Sequence, residues 1–391
     1  MNTQRRNFIK ISSSLTGALL IPGIFTGCVE ETTKNVTPWN GHNYEEKDIR
    51  FIVLSYAILA PNPHNKQPWL IQLKDEQSFD LYVDTNRTLP QTDPFFRQIH
   101  IGQGTFLENL NLAAQNFGYK AVIKYFPQGQ YSNSTIEHKP IASIQLVQEK
   151  DISKDDLFDQ ILLRQSNKRE YNNKTAPFKK LAILKNKIKE ELESGFSLNI
   201  TSKKDHLKKL REVAVNSMKI ESADHDRDME TIKMFRFSTE EVNLYKDGFG
   251  LAQTGVTGVK KFVLENIFLS RKSAQKDPIS FGKEAISMTK NQVDSTTTFA
   301  WLSTKNNTRL DQVKIGRVYE RINLLATSLG LVIHPISQVL QEYQDMDGLQ
   351  KEFLEYLNVP KNHTVQMFFR IGIAQKVEHS PRRNINDLLI G

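Results

Sequence analysis

Three short stretches of this chain carry side chains suited to holding a ligand. The first is APNPHNKQPW, Ala60 to Trp69, which follows the apolar run Phe51 to Ala60. Three prolines stiffen it, so its backbone has little entropy left to lose on becoming ordered. Pro63, His64, Asn65 and Gln67 then present ring edges, donors and acceptors in set directions. Such a loop suits the polar edge of a flat heteroaromatic molecule. The second stretch is RQSNKREY, Arg164 to Tyr171. Alternate residues of an extended chain share a side, so Arg164, Ser166 and Lys168 would point together. Two cations and a hydroxyl at that spacing make a phosphate grip; the competing reading is a solvated basic turn. The third stretch is SPRRN, where Arg382 and Arg383 either complete the grip or lie at the surface.

These groups need a frame. Glu45 to Ala60 reads as a helix stopped by Pro61. WLIQL and FDLYVDT, beyond the loop, read as short strands, and YKAVIKYF and IASIQLV follow as further strand candidates. LFDQILLRQ, leading into the basic stretch, reads as helical, as do HLKKLREVAVNSMKI and DMETIKMFRF. Lys and Glu alternate from Lys179 to Ser194 as on a solvated helix face. Residues 247–295 mix glycines with polar residues and are expected to form a lid over a site. TFAWLST reads as a strand, and TVQMFFRIGIA is apolar enough for a strand buried on both faces.

Two helical segments match each other. GTFLENLNLAAQNFG (104–118) and GRVYERINLLATSLG (316–330) align without a gap over 15 positions, six of them identical. The shared residues are Gly104/Gly316, Glu108/Glu320, Asn111/Asn323, Leu112/Leu324, Ala114/Ala326 and Gly118/Gly330. Two amphipathic helices can converge on one pattern. An internal duplication explains the match better, and makes the chain a dimer written as one polypeptide.

The N-terminus stands apart. QRRNFIK, with Arg5, Arg6, Phe8 and Lys10, resembles a bacterial twin-arginine export signal, and an apolar run too short for a membrane span follows. That route carries folded proteins and so suits a chain that takes up a cofactor first. Cys28, the only cysteine, ends the run after Phe-Thr-Gly, which resembles a lipidation box. The expected organisation is a leader over 1–27, lipidation at Cys28 and a polar tether over 28–45, giving an exported periplasmic or outer-membrane-anchored lipoprotein. A single cysteine excludes an intrachain disulfide, a cysteine metal cluster and a redox dithiol; no metal site is expected. The net charge of +8 falls to about +5 once the three leader cations are removed. With no zinc-finger spacing and no aromatic-basic motif, nucleic acid is not an expected partner.

Taken together, APNPHNKQPW, DTNRTLPQTDPFFRQIHIGQG, RQSNK, GRVYERINLLATSLG with its sequel HPISQ, and the terminal PRR resemble the nitroreductase superfamily, in its internally duplicated Acg-type branch. The resemblance runs from about residue 46 to 391. It implies an α+β fold, a mixed sheet packed with helices and duplicated into a pseudo-dimer. The halves would be 46–150 and 151–391, and the assembly needs no second chain. It also implies FMN, one per chain, because the first half keeps the HNKQPW loop while the second keeps RQSNK and PRR. By that carry-over, Arg164, Ser166, Lys168, Arg382 and Arg383 would hold the phosphate and ribityl chain. Pro63, His64, Asn65 and Gln67 would line the flavin edge. Pro335, Ile336, Ser337 and Gln338 would run beside N5, with Arg236 on the pyrimidine side. No catalytic side chain is required, because flavin supplies the redox chemistry. The implied function is two-electron transfer between a small-molecule donor and an electron-poor acceptor. The alternatives are an FMN-sequestering protein with little turnover, and an anchored scaffold that has lost its cofactor.

Overall fold

A computed structural model describes residues 37–172 and 174–391. The leader, Cys28 and the tether as far as residue 36 lie outside the described residues. The chain is α+β, and its centre is a pair of long helices, α2 and α7. The order begins with α1 (Ile49–Ala57), β1 (Trp69–Leu73), β2 (Ser78–Val83), α2 (Arg97–Asn116), β3 (Tyr119–Tyr125) and β4 (Ala142–Gln148). It continues with α3 (Phe178–Glu191), β5 (Phe196–Thr201), α4 (Lys204–Glu221), α5 (His225–Met234), β6 (Phe235–Arg236), β7 (Phe249–Gly250) and α6 (Pro278–Asp294). It ends with β8 (Phe299–Thr304), α7 (Arg309–Ser328), β9 (Val332–Pro335), α8 (Asp347–Tyr356), β10 (Thr364–Gly372) and β11 (Leu389–Ile390).

Capping explains where the central helices start. Asp93 accepts the amides of Gln98 and Ile99 at the head of α2, at 3.0 and 2.9 Å. Thr308 and Asp311 form a reciprocal capping box ahead of α7. The two helices then meet backbone to backbone. A Cβ on Gly104 would lie 2.9 Å from the Gly316 Cα and collide with the Val313 carbonyl. A Cβ on Gly316 would lie 3.0 Å from the Gly104 Cα and collide with the Ile101 carbonyl. The contact is reciprocal: each glycine meets its counterpart and the carbonyl three residues before it. Only a residue without a side chain allows so close an approach.

The sheets on either side repeat one plan. The first runs β11-β1-β2-β4-β3 and the second β5-β8-β10-β9. Setting β11 aside, strands in equivalent positions follow the same order, and every neighbouring pair is antiparallel. β11 joins the outer edge of β1 in parallel, so the chain's last residues complete the first sheet and make it mixed. β10 lies between β8 and β9, buried from Val365 to Gly372, as its apolar sequence requires. The core is continuous from Val53 through Phe106 and Ile322 to Phe369.

Some elements differ from the sequence reading. Leu157 to Gln165 forms only a short 3-10 turn, Asp156–Gln160, after which the chain extends. Ser166 bridges Ile333 in parallel, and the Asn167 amide donates to the Ile333 carbonyl at 3.1 Å. A partner strand edge thus replaces the helical bonds. The sequence reading missed β5, whose FSLNIT alternates apolar and polar residues, as well as α8, the four-residue β9 and the two-residue strands, which are too short to carry a pattern. Residues 247–295 form β7, several short helical turns and α6, and part of this stretch packs a small cluster with Ile232, Phe235 and Phe237.

The glycine crossing yields a direct test. Gly104→Ala and Gly316→Ala should each lower the unfolding free energy by about 3 kcal/mol or more, read by urea denaturation, because backbone cannot yield as a side chain can. Gly348→Ala, where a Cβ meets nothing within 4 Å, should be neutral or slightly stabilising.

Candidate functional site

The loop Ala60–Trp69 takes an unusual path. His64, Asn65 and Gln67 all have positive φ, at 50°, 53° and 52°. Non-glycine residues there raise the backbone energy and persist only where their surroundings over-determine them. The surroundings do so. Asn65 Nδ2 donates to the carbonyls of Gly248 (3.0 Å) and Pro381 (2.9 Å). Gln67 Nε2 donates to the Lys246 carbonyl at 2.9 Å, and its Oε1 accepts the Arg383 amide at 2.8 Å. The loop is therefore held in shape by segments 179 to 316 positions further along the chain.

Arg382 is the hub of this arrangement. Its guanidinium donates to the carbonyls of Ile58 (2.8 Å), Leu59 (2.9 Å) and Ala60 (3.3 Å) and to Asn65 Oδ1 (2.8 Å). It thus caps the C-terminal end of α1, where carbonyls lack partners and carry partial negative charge, and fixes the loop at the same time. Trp39, from the segment expected to be a free tether, folds back onto it. Its ring lies 4.9 Å from the Arg382 guanidinium and stacks on His379 at 4.0 Å, while its Nε1 donates to the Ser380 carbonyl at 2.9 Å.

A cavity of about 280 Å³ opens beside this loop. Pro63, His64 and Asn65 border it from one side, Arg164, Ser166 and Lys168 from another, and Pro335, Ser337, Gln338 and Arg382 from the rest. Gln67 and Ile336 are buried behind this wall: Gln67 braces the loop, and Ile336 packs with Val339 and Phe368. Arg236 is also outside the lining. It pairs with Asp247 and donates to the Lys233 carbonyl at 2.8 Å. Arg383 turns towards Gln67 and Asp84 (3.6 Å) instead of joining the grip. These positions depart from the sequence reading because each side chain finds a buried partner before it reaches the cavity.

The remaining groups are poised for an anion. Arg164 donates one hydrogen bond, to the Leu59 carbonyl at 2.8 Å, and lies 3.4 Å from the Glu320 carboxylate. Its Nε and Nη1 are buried without hydrogen-bond partners. Lys168 packs over the Phe249 ring at 3.6 Å, and burial pushes its ammonium down to about 8. Burial, with Lys168 nearby, also holds His64 at about 3, so it is neutral, and its Nδ1 has no partner. Unmatched buried donors are costly unless a ligand meets them. A phosphate-bearing group fits this end of the cavity. Beside it, the strained loop and the segment Pro335–Gln338 offer the walls a planar ring needs.

Trp39, His379, Tyr319, Glu221, Phe249 and Gln341 also line the cavity and were missed. Trp39 alone left a trace in the sequence, as a lone tryptophan in a polar segment.

No family model matches the chain. A Mycobacterium tuberculosis H37Rv protein provisionally named an NAD(P)H nitroreductase is 23% identical over 370 residues, covering 91% of this chain and 95% of its own. The Acg protein of the same strain, named in the same provisional way, is 21% identical over 352 residues, covering 87% and 95%. Among solved structures, a nitroreductase of Bacteroides fragilis with bound FMN is 14% identical, covers 59% of this chain and 97% of its own, and has a TM-score of 0.34. An Anabaena variabilis protein, also provisionally a nitroreductase, is 11% identical, covers 87% and 91%, and has a TM-score of 0.42. The chain is thus similar over nearly its whole length to nitroreductase-type proteins.

Arg382→Ala should remove the buried hydrogen bonds to Ile58, Leu59, Ala60 and Asn65 and release both the helix end and the loop. The expected loss is about 3 kcal/mol in urea unfolding, with faster proteolysis near residues 61–67. Arg382→Lys should not restore the loss, since one ammonium cannot span carbonyls and amide as a guanidinium fork does.

Proposed function

We propose that this chain binds one FMN between its halves and acts as a nitroreductase-type oxidoreductase. The observation that carries the proposal is Arg164, buried at the cavity wall with Nη1 unmatched and with Nε paired to the Glu320 carboxylate at 3.4 Å but not hydrogen-bonded to it. Ser166 and Lys168 stand beside it in the same lining, and a phosphate near −2 at neutral pH would answer all three. Arg382 adds charge but has its donors committed. His64, Asn65 and Pro63 would border the ring system, and Pro335, Ser337 and Gln338 would run along its reactive edge. Bound there, FMN would supply two-electron transfer between a reduced small-molecule donor and an electron-poor acceptor such as a nitro or quinone compound. The similarity to nitroreductase-type proteins supports this reading.

Duplication accounts for the single site. The reciprocal glycine contact and the matched strand order support two related halves about a pseudo-twofold axis. At the symmetry-related glutamates, Glu320 faces Arg164, whereas Glu108 pairs with Arg317 and Arg321 of α7. The counterpart position is thus filled by the chain's own cations.

A second reading, sequestration of FMN with little turnover, is favoured by the cover that Phe249, Ala285, Met288 and Gln292 lay over the cavity. We further infer export by the twin-arginine route and anchoring at Cys28, on the residues that suggested them. At about 3.5 Å per extended residue, the eleven steps from Cys28 to Trp39 would reach no more than roughly 38 Å, keeping the site near the anchoring membrane.

The chain purified without residues 1–28 should show a two-banded flavin spectrum at about one FMN per chain. Arg164→Ala, checked for folding by its thermal transition, should bind FMN at least about tenfold more weakly. A folded, colourless protein that takes up no FMN would overturn the proposal. Slow reduction by donors and slow reoxidation by quinones would select sequestration.

A further inference from the structure

The turn between β1 and β2 takes residues 74–77, whereas their counterparts β5 and β8 are separated by residues 202–298. That insertion builds one lobe of the cavity wall. Met218 and Glu221 from α4, Thr231 from α5 and Met288 from α6 face the cavity there, together with Gln341. Two methionines give polarisable apolar walls. Among them sits a carboxyl only 3% exposed, whose Oε2 has no hydrogen-bond partner, and the Thr231 hydroxyl is also unmatched. No cation forms an ion pair with this carboxyl among the described residues, and Gln341 hydrogen-bonds it.

We propose that this lobe is an acceptor subsite for a flat, uncharged aromatic bearing an exocyclic oxygen, of quinone type, with the Glu221 carboxyl and the Thr231 hydroxyl donating hydrogen bonds to that oxygen. A quinone carbonyl accepts and cannot donate, so it requires the carboxyl in its neutral form. Burial pushes Glu221 up to about 7, and its place as the last residue of α4, at the negative end of the helix dipole, acts in the same sense. The charged and titratable groups around it are Arg227, Asp228 and Glu230 from α5, Tyr343 beyond β9, and Lys168 of the same lining, while the Gln341 side chain hydrogen-bonds it. Arg227 is engaged by Asp345 at 2.7 Å, which leaves the carboxyl without a dedicated cation. The inference rests on the FMN reading for its biological sense, but the lobe is defined by this chain's own residues.

The test is calorimetric titration of oxidised, cofactor-loaded protein with duroquinone, which carries no ionisable group in the range used. Without a donor no turnover occurs. Affinity should be about tenfold weaker at pH 8 than at pH 6, as expected for a ligand that needs an acid of pKa near 7 in its protonated form. Glu221→Gln keeps a donor and cannot ionise, so it should bind at pH 8 as the wild type does at pH 6. Glu221→Ala should bind about tenfold more weakly than wild type at pH 6 and show no pH dependence. Unchanged, pH-independent affinity in both variants, or no binding to any form, overturns the subsite. If the protein proves to hold no flavin, the FMN reading fails on that fact alone. The same titration then decides the subsite separately: pH-dependent binding flattened by Glu221→Gln upholds it, and its absence overturns it.

Discussion

The contact between Gly104 and Gly316 sets the distance between α2 and α7, and the site depends on that distance. With the helix backbones in van der Waals contact, α2 and α7 form one central unit, and each carries its own sheet. Ile101 and Gly102 from α2, and Tyr319 from α7, then reach the same cavity wall. A side chain at either glycine would separate the helices and widen the gap that the ligand-facing residues must span. Rigid packing transmits such a displacement, because a close-packed interior has no slack to absorb it.

The second dependency is conformational. Three left-handed residues in one loop are stable only while their partners stay in place, and those partners come from the other end of the chain. Arg382 reaches Leu59 across 323 positions of sequence, and Asn65 reaches Pro381 across 316. The C-terminal segment also supplies β11 to the first sheet. A loop held by such contacts has its shape only in the completely folded chain, which ties binding competence to complete folding.

This long-range character explains what the sequence disclosed. Local signals were legible: the proline-rich loop, the apolar strand β10, the paired helices, and the alternation that sets Arg164, Ser166 and Lys168 on one wall. The extended path of Arg164 to Lys168 was readable, whereas the helix expected just before it was not, because the edge of β9 competes for that backbone. Gln67, Arg236, Ile336 and Arg383 look from the sequence like ligand contacts. Distant partners decide otherwise: Asp247 engages Arg236, and Gln67 and Arg383 bind each other. Glu221 was hidden for the same reason, and the lone tryptophan Trp39 was visible without its destination. Nothing in a polar tether or at the end of an amphipathic helix states which cavity the residue will enter.

Electrostatics joins these observations. The cavity gathers Arg164, Arg382 and Lys168, yet Glu320 is the only carboxylate that forms an ion pair with any of them among the described residues. Burial answers in part by neutralising what it can: His64 and His379 are held near 3, and Lys168 is drawn down to about 8. The guanidinium of Arg164 has no such escape, since it stays protonated under any ordinary condition. Its unmatched donors therefore raise the energy of the folded chain until an anion arrives. A dianionic ligand would relieve that cost, and differential binding to the folded form would then stabilise it. Trp39 packs over the same cations, so the segment Thr37–Asn40 rests on the charge that a ligand would balance. Ligand capture and loop geometry thus depend on one set of buried cations, with Arg382 holding the loop and Arg164 facing the cavity.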